Sequence, residues 1–288
     1  MEETLNIVAI GSDTNHNFCS ALPIVGRFWR EKIGYEPLFC LVGNWATDTA
    51  DLVVEELRNA SFRMEFVSVP IKRFPGIRSA SIAQGIRQHI ATLGSLDQND
   101  LLIPSDADLI CLRREFYHQH EDPITLYYAN AHQGEENSHV PACHMSMRVK
   151  TWRQVMGYDI GDPLEVLCAN MEKLGMQRFI DARAADPKRW EDEWYFMQRY
   201  SSQRIFASGL QIKRVNREGR PPVDRLDRAY WPEKFDIGNY IDCHTVRPIW
   251  SERNYPKFRP ILEQAAPEWL AWSDDYIARF QNAMGCKG

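Results

Sequence analysis

An α/β fold built on a parallel sheet, continued by a mixed second half, is what this 288-residue sequence predicts. Three observations predict it. Four short apolar runs alternate with amphipathic helical stretches between Leu5 and Pro104, with short links. After Ile124 that alternation stops. Two carboxylates, Asp106 and Asp108, stand directly after the fourth apolar run, where an open α/β sheet binds ligands.

The elements follow in order. Leu5–Ile10 is a buried strand, and Asn17–Lys32 is a helix with Leu22, Val25 and Trp29 on one face and Gly34 as its stop. Pro37–Val42 is the second strand, Thr47–Asn59 the second helix, and Met64–Val69 the third strand. The next helix places Ile82, Ile86 and Ile90 on one face, with Ser79 or Ser81 as its N-cap. Asp100–Pro104 is the fourth strand. "ITLYYA" and "VPACHMSMRV" then read as strands of a mixed sheet, followed by helices over Leu164–Leu174 and Glu191–Tyr200. Arg214–Pro260 is rich in Pro, Arg and Trp with little periodicity and reads as wrapping loops; Trp269–Met284 is the last helix.

Composition narrows the class. With 25% charged and 44% hydrophobic residues the chain is an ordinary soluble globular protein. A net charge of −5, with no basic stripe, argues against nucleic acid or an anionic membrane as the partner. No apolar run approaches the roughly 20 residues of a membrane span, and "MEETLNIVAIG" does not read as a signal peptide. Seven Cys without a C-x-x-C pair read as reduced thiols, consistent with a cytoplasmic location.

The chemistry centres on Asp106-Ala107-Asp108. Among 19 Asp, about one D-x-D arises by chance, so position carries the weight. Two like charges held together cost stability unless something positive compensates, so loss of one is expected to relieve repulsion. A divalent cation with oxygen ligands would supply that charge; the alternative is one Asp capping a turn and the other facing water. "HQHED" (His118–Asp122) and His139, Cys143 and His144 offer further metal-ligating types. On a strand, His139 and Cys143 share a face and His144 takes the other, which suits a pocket wall better than a metal site.

At these residues the chain resembles the GT-A glycosyltransferases, metal-dependent enzymes that use nucleotide sugars. The order of parts is similar from about Leu5 to His244: a nucleotide-binding α/β half, a D-x-D after the fourth strand, a mixed second half. The resemblance implies a Rossmann-like nucleotide-sugar half over residues 1–123, an acceptor half over 124–213, and a loop-rich closure over 214–288. It implies Mn²⁺ or Mg²⁺ on Asp106 and Asp108, with Asp106 also facing the donor. His244, in "IDCHTVRPIW", would complete the metal shell, with Asp242 as its competitor. Trp190-Glu191-Asp192 looks like the acidic x-E-D of inverting members, which makes Asp192 the catalytic base, with Glu191 and Glu193 as alternatives. Ser12, Asp13 and Thr14, after the first strand, would lie against the nucleoside, and Arg78 against the diphosphate; a plain βα turn and a surface arginine are the alternatives.

The expected partners are a nucleotide-sugar donor, UDP-linked by family analogy, and a glycan acceptor, with no nucleic acid and no membrane span. The expected source is bacterial or viral. A sugar-phosphate nucleotidyltransferase is the nearest alternative enzyme, but "GSDTNHNF" has one Gly and no Lys or Arg where that class carries a basic Gly-rich loop. A non-catalytic glycan- or nucleotide-binding module is the other alternative.

Overall fold

The computed structural model describes residues 4–127, 140–217 and 224–285. The fold is mixed α/β. Among the described residues the strands are β1 (Asn6–Asp13), β2 (Glu36–Val42), β3 (Arg63–Val67), β4 (Leu101–Ser105), β5 (Leu109–Cys111), β6 (Ile124–Tyr127), β7 (Met145–Arg148), β8 (Ile212–Val215), β9 (Arg225–Asp227) and β10 (Asp242–His244). Seven form one sheet in the order β3-β2-β1-β4-β7-β6-β8; the other three form a small sheet, β5-β10-β9. Pairs among β1 to β4 are parallel, as the alternation with helices requires, and β7 turns antiparallel to β4 and β6. The expected boundary at residue 124 therefore falls inside one continuous sheet.

The four expected N-terminal strands are all present, each within a few residues of its predicted bounds. Their apolar residues pack two faces of the sheet: one with Val25, Trp29 and Tyr276, the other with Ile82, Ile86 and Trp152. The first helical stretch is broken into His16–Cys19, Leu22–Arg27 and a π-helical turn, Phe28–Ile33, ending on left-handed Gly34. The helix Ser79–His89 is capped by Arg78 without a side-chain bond, because both expected caps are engaged elsewhere. Ser79 donates to Asp13 at 2.7 Å and Ser81 to Glu193 at 2.6 Å.

The second half differs more. Cys143 and His144 lie on a 3₁₀ turn, Ala142–His144, rather than on the strand, and His139 lies outside the described residues. The predicted helix at Glu191–Tyr200 is two, Trp190–Trp194 and Phe196–Ala207, interrupted at Tyr195. The stretch read as loops contains β9, β10 and a helix, Tyr255–Ala265, with Pro260 inside it. Two further helices, Val149–Met156 and Gln177–Ala185, were not predicted. The six described cysteines are free and buried. No helix among the described residues is long and apolar enough to cross a membrane.

Candidate active site

A cavity of about 950 Å³ opens at the carboxyl ends of β1 and β4, where the D-x-D lies. Asp106 and Asp108 flank the turn between β4, which belongs to the large sheet, and β5, which belongs to the small one. The Leu109 N–H donates to the Asp106 carbonyl at 3.3 Å and closes that turn. Arginines and one histidine compensate the two charges. Arg87 Nη1 lies 2.5 Å from Asp106 Oδ1, and His244 Nε2 is 3.6 Å from Oδ2. Arg228 Nη1 donates to Asp108 Oδ2 at 2.6 Å, and Arg247 Nε is 3.3 Å from the same oxygen.

His244 reaches this place through strand pairing. Antiparallel register on β5 sets it opposite Leu109, and the Thr245 N–H donates to the Asp108 carbonyl at 3.0 Å. Parallel register on β9 sets it opposite Asp227, whose Oδ2 is 3.3 Å from Nδ1. Asp242, the competitor two residues earlier, is fully buried and does not line the cavity. It is held by Arg217 and Arg225, and Tyr117 donates to it at 3.0 Å.

The electrostatics follow from these contacts. Burial alone would raise the pKa of Asp106, but Arg87 and then His244 hold it well below the usual carboxylate range. Burial and Arg225 pull the His244 pKa down, yet hydrogen bonds with Asp106 and Asp227 leave it above its ordinary value. The bond from His244 is the main reason that Asp227 drops to about 2. His144, across the cavity, goes the other way: burial and the neighbouring arginines keep its imidazole neutral.

The donor chemistry suits a hard divalent cation. His244 keeps one ring nitrogen on a carboxylate and turns the other towards Asp106, the arrangement that orients metal-bound imidazoles. Among the described residues, however, no three His, Cys, Asp or Glu side chains converge as a finished shell, and Arg228 and Arg247 stand against Asp108. His118 and His120 lie elsewhere, bonded to the Ile33 carbonyl and to Ser146.

The remaining candidates divide. Ser12, Asp13 and Arg78 line the cavity; Thr14 does not. Asp13 accepts from Ser79 and from the Asn15 N–H. Arg78 is anchored by Glu193 at 3.4 Å and by the Trp190 carbonyl at 3.2 Å. Asp192 is not on the cavity wall: its carboxylate meets Arg189 at 3.2 Å and Arg199 at 3.4 Å. The helix explains this, since successive residues turn about 100° and Asp192 is about 200° from the cavity-facing Trp190. Glu193 is buried under Ser81, Arg183 and Arg78; although burial opposes ionisation, those bonds lower its pKa.

Sequence reasoning missed Arg87, Arg228, Arg247 and Gln198, all on the cavity wall. Arg87 stands four residues after Ala83 on a cavity-facing helix, so helical spacing held a signal for it; Arg247 follows the end of β10 and had none.

No known family and no curated protein matches the sequence. Among solved structures, the chain is similar to an active-site mutant of LgtC, at 13% identity over 97% of this chain and 95% of that one, with a TM-score of 0.48. It is similar to mouse xyloside xylosyltransferase 1 at 10% identity, over 84% and 97% of the chains, TM-score 0.39. It is also similar to 4-diphosphocytidyl-2C-methyl-D-erythritol synthase at 14% identity, over 61% and 86%, TM-score 0.36. Every one of these scores is below 0.5, so the α/β assignment rests on the sheet itself and any activity on the side chains.

Proposed function

We propose that the protein is a GT-A-type glycosyltransferase that moves a sugar from a nucleotide-diphosphate donor, UDP-linked by family analogy, to a glycan hydroxyl. The observation that carries this reading is the convergence of Asp106, Asp108, His244, Arg228 and Arg247 at one end of a large cavity. Oxygen ligands for a cation and guanidinium groups for phosphate then stand together. Asp106, Asp108 and His244 would hold Mn²⁺ or Mg²⁺, which when bound supplies Lewis-acid stabilisation of the departing diphosphate.

The chain's own residues do the rest. Arg228 and Arg247 exchange Asp108 for phosphate oxygens and hold the leaving group, and Arg78 bounds the same cavity. Ser12 and Asp13, at the end of β1, bind the nucleoside. The bond from the anomeric carbon to the phosphate oxygen breaks, the acceptor oxygen bonds that carbon, and the acceptor's proton passes to the departing diphosphate or to water. With Asp192 turned to Arg189 and Arg199, the proposal carries no assigned base and no fixed anomeric outcome.

The test is incubation with UDP-sugars with and without Mn²⁺. Release of UDP, increased by a glycan acceptor, supports the reading; NMR of the product gives the anomer. Consumption of a nucleoside triphosphate with sugar phosphate instead would establish the nucleotidyltransferase alternative. Ligand-induced thermal shifts without any turnover would leave a binding module.

A further inference from the structure

The aromatic wall of the cavity has no part in the chemistry described so far. Trp190 and Trp194 are four residues apart and so share a face of their helix. Their rings are 6.4 Å apart at 64°, both line the cavity, and Trp190 is 39% exposed. An exposed tryptophan alone is unremarkable. Two further observations give this one meaning.

The first is Gln198. It lines the same wall and is 4% exposed, yet its side-chain amide makes no hydrogen bond among the described residues. A primary amide offers a donor and an acceptor, and where the protein takes up neither, its partner is whatever fills the space it faces. Facing a cavity, that partner is a ligand. The second is anchorage. In the same helix turn, Glu193 is held by Ser81, Arg183 and Arg78, which fixes the tryptophans before any ligand arrives. Tyr195, next in the chain, lines the same cavity as Asp106 and Asp108, so the wall belongs to the D-x-D site.

We infer that Trp190, Trp194 and Gln198 form the acceptor subsite, and that it takes a pyranose. A pyranose has a face of axial C–H groups, which suits an aromatic ring, and a rim of hydroxyls, which suits a two-way amide. A nucleobase would also stack, but it would leave the nucleoside-facing end at Ser12 and Asp13 empty. This inference deepens the glycosyltransferase reading and rests on it for the word acceptor.

Saturation-transfer NMR with methyl glycosides of glucose, galactose, mannose and xylose, without donor or metal, tests it. The expected result is strongest saturation at the protons of one ring face for at least one sugar. Trp190→Ala and Gln198→Ala each weaken its binding on the order of 10-fold, and Trp190→Phe restores most of it. Trp190 is exposed, so its variants keep the fold, which their melting curves check. In turnover, the same variants raise the acceptor KM without a matching rise in the donor KM. Undiminished saturation in Trp190→Ala, or a wall that binds uridine and no glycoside, overturns the subsite. Glycoside binding that depends on Trp190 in a protein that never releases UDP keeps the subsite and sinks the transferase reading.

Discussion

The guanidinium of Arg87, only 1% exposed, lies 2.5 Å from Asp106 Oδ1 and underlies the D-x-D from the side opposite His244. One buried cation thus holds a carboxylate that is a quarter exposed to the cavity. Replacing Asp106 leaves Arg87 without its counter-charge, and replacing Arg87 leaves Asp106 with His244 alone. Arg87→Met is expected to cost about 3 kcal/mol, the low end for breaking a buried pair, since Asp106 keeps some solvent. Urea melts of both single variants and of Arg87→Met with Asp106→Asn check this: the double variant should lose less than the sum of the singles.

Asp108→Ala should bring no stability in the metal-free protein, contrary to the simple expectation of relieved repulsion. Arg228 and Arg247 already compensate Asp108, and its removal leaves them facing each other's charge. A loss of about 1 kcal/mol is expected, modest because both arginines are part-exposed. Donor binding should lose its Mn²⁺ dependence in the same variant. A raised melting midpoint, or unchanged Mn²⁺ dependence, counts against this site.

Asp242→Asn should be among the most damaging single polar changes. It replaces the carboxylate between buried Arg217 and Arg225 by a neutral amide, with Asp224 still 3.3 Å from Arg217, a change worth about 3 kcal/mol. Chemical denaturation reads the cost directly. A loss below about 1 kcal/mol would mean that water reaches the cluster.

Acid should destabilise the protein partly through His89. Burial lowers its pKa to about 4, against the Gly85 carbonyl bond, so the folded state keeps it neutral between Gly85 and Tyr158. The unfolded chain takes up this proton below about 6.5. The contribution is therefore full above pH 6.5 and is lost as pH falls towards 4, at most about 3 kcal/mol. His89→Gln should flatten the slope of stability against pH within that window and leave it unchanged above.

Gly11→Ala tests the approach of β1 to the helix that carries Arg87. A Cβ at Gly11 would stand 2.0 Å from the Ala83 carbonyl oxygen, a backbone atom that no rotamer can move. The helix must shift, at about 2–3 kcal/mol of overpacking. A variant as stable as the parent would show that the helix moves freely against the strand.

The parallel half of the fold was legible because its signals are local. β1, β2 and β4 bury both faces and read as continuous apolar runs, while β3 at the sheet edge buries little, and helices stand between neighbours. The D-x-D was legible because a strand's end has a fixed place in such a sheet. The small sheet was not: β9 and β10 are three residues each, and a three-residue strand has no period to detect. Arg228 is close to Asp108 only through that pairing. Asp192 could not be oriented from sequence, because "WEDEW" fixes which residues are neighbours but not which side of the helix meets the cavity.

The joint between the two sheets also governs when the site comes into being. Asp106 is made early and His244 nearly half a chain later, and only the docking of β10 on β5 brings them together. A nascent chain still short of β10 can complete its parallel half and pair Asp106 with Arg87, yet it lacks both His244 and Arg247. The unfinished polypeptide is thereby idle, and one face of its sheet still awaits Phe258 and Tyr276. Competence arrives as a late event of synthesis, and a premature stop before residue 242 would give a silent protein, destabilised by the loss of Asp242 and of the C-terminal helices that cover one face of the sheet.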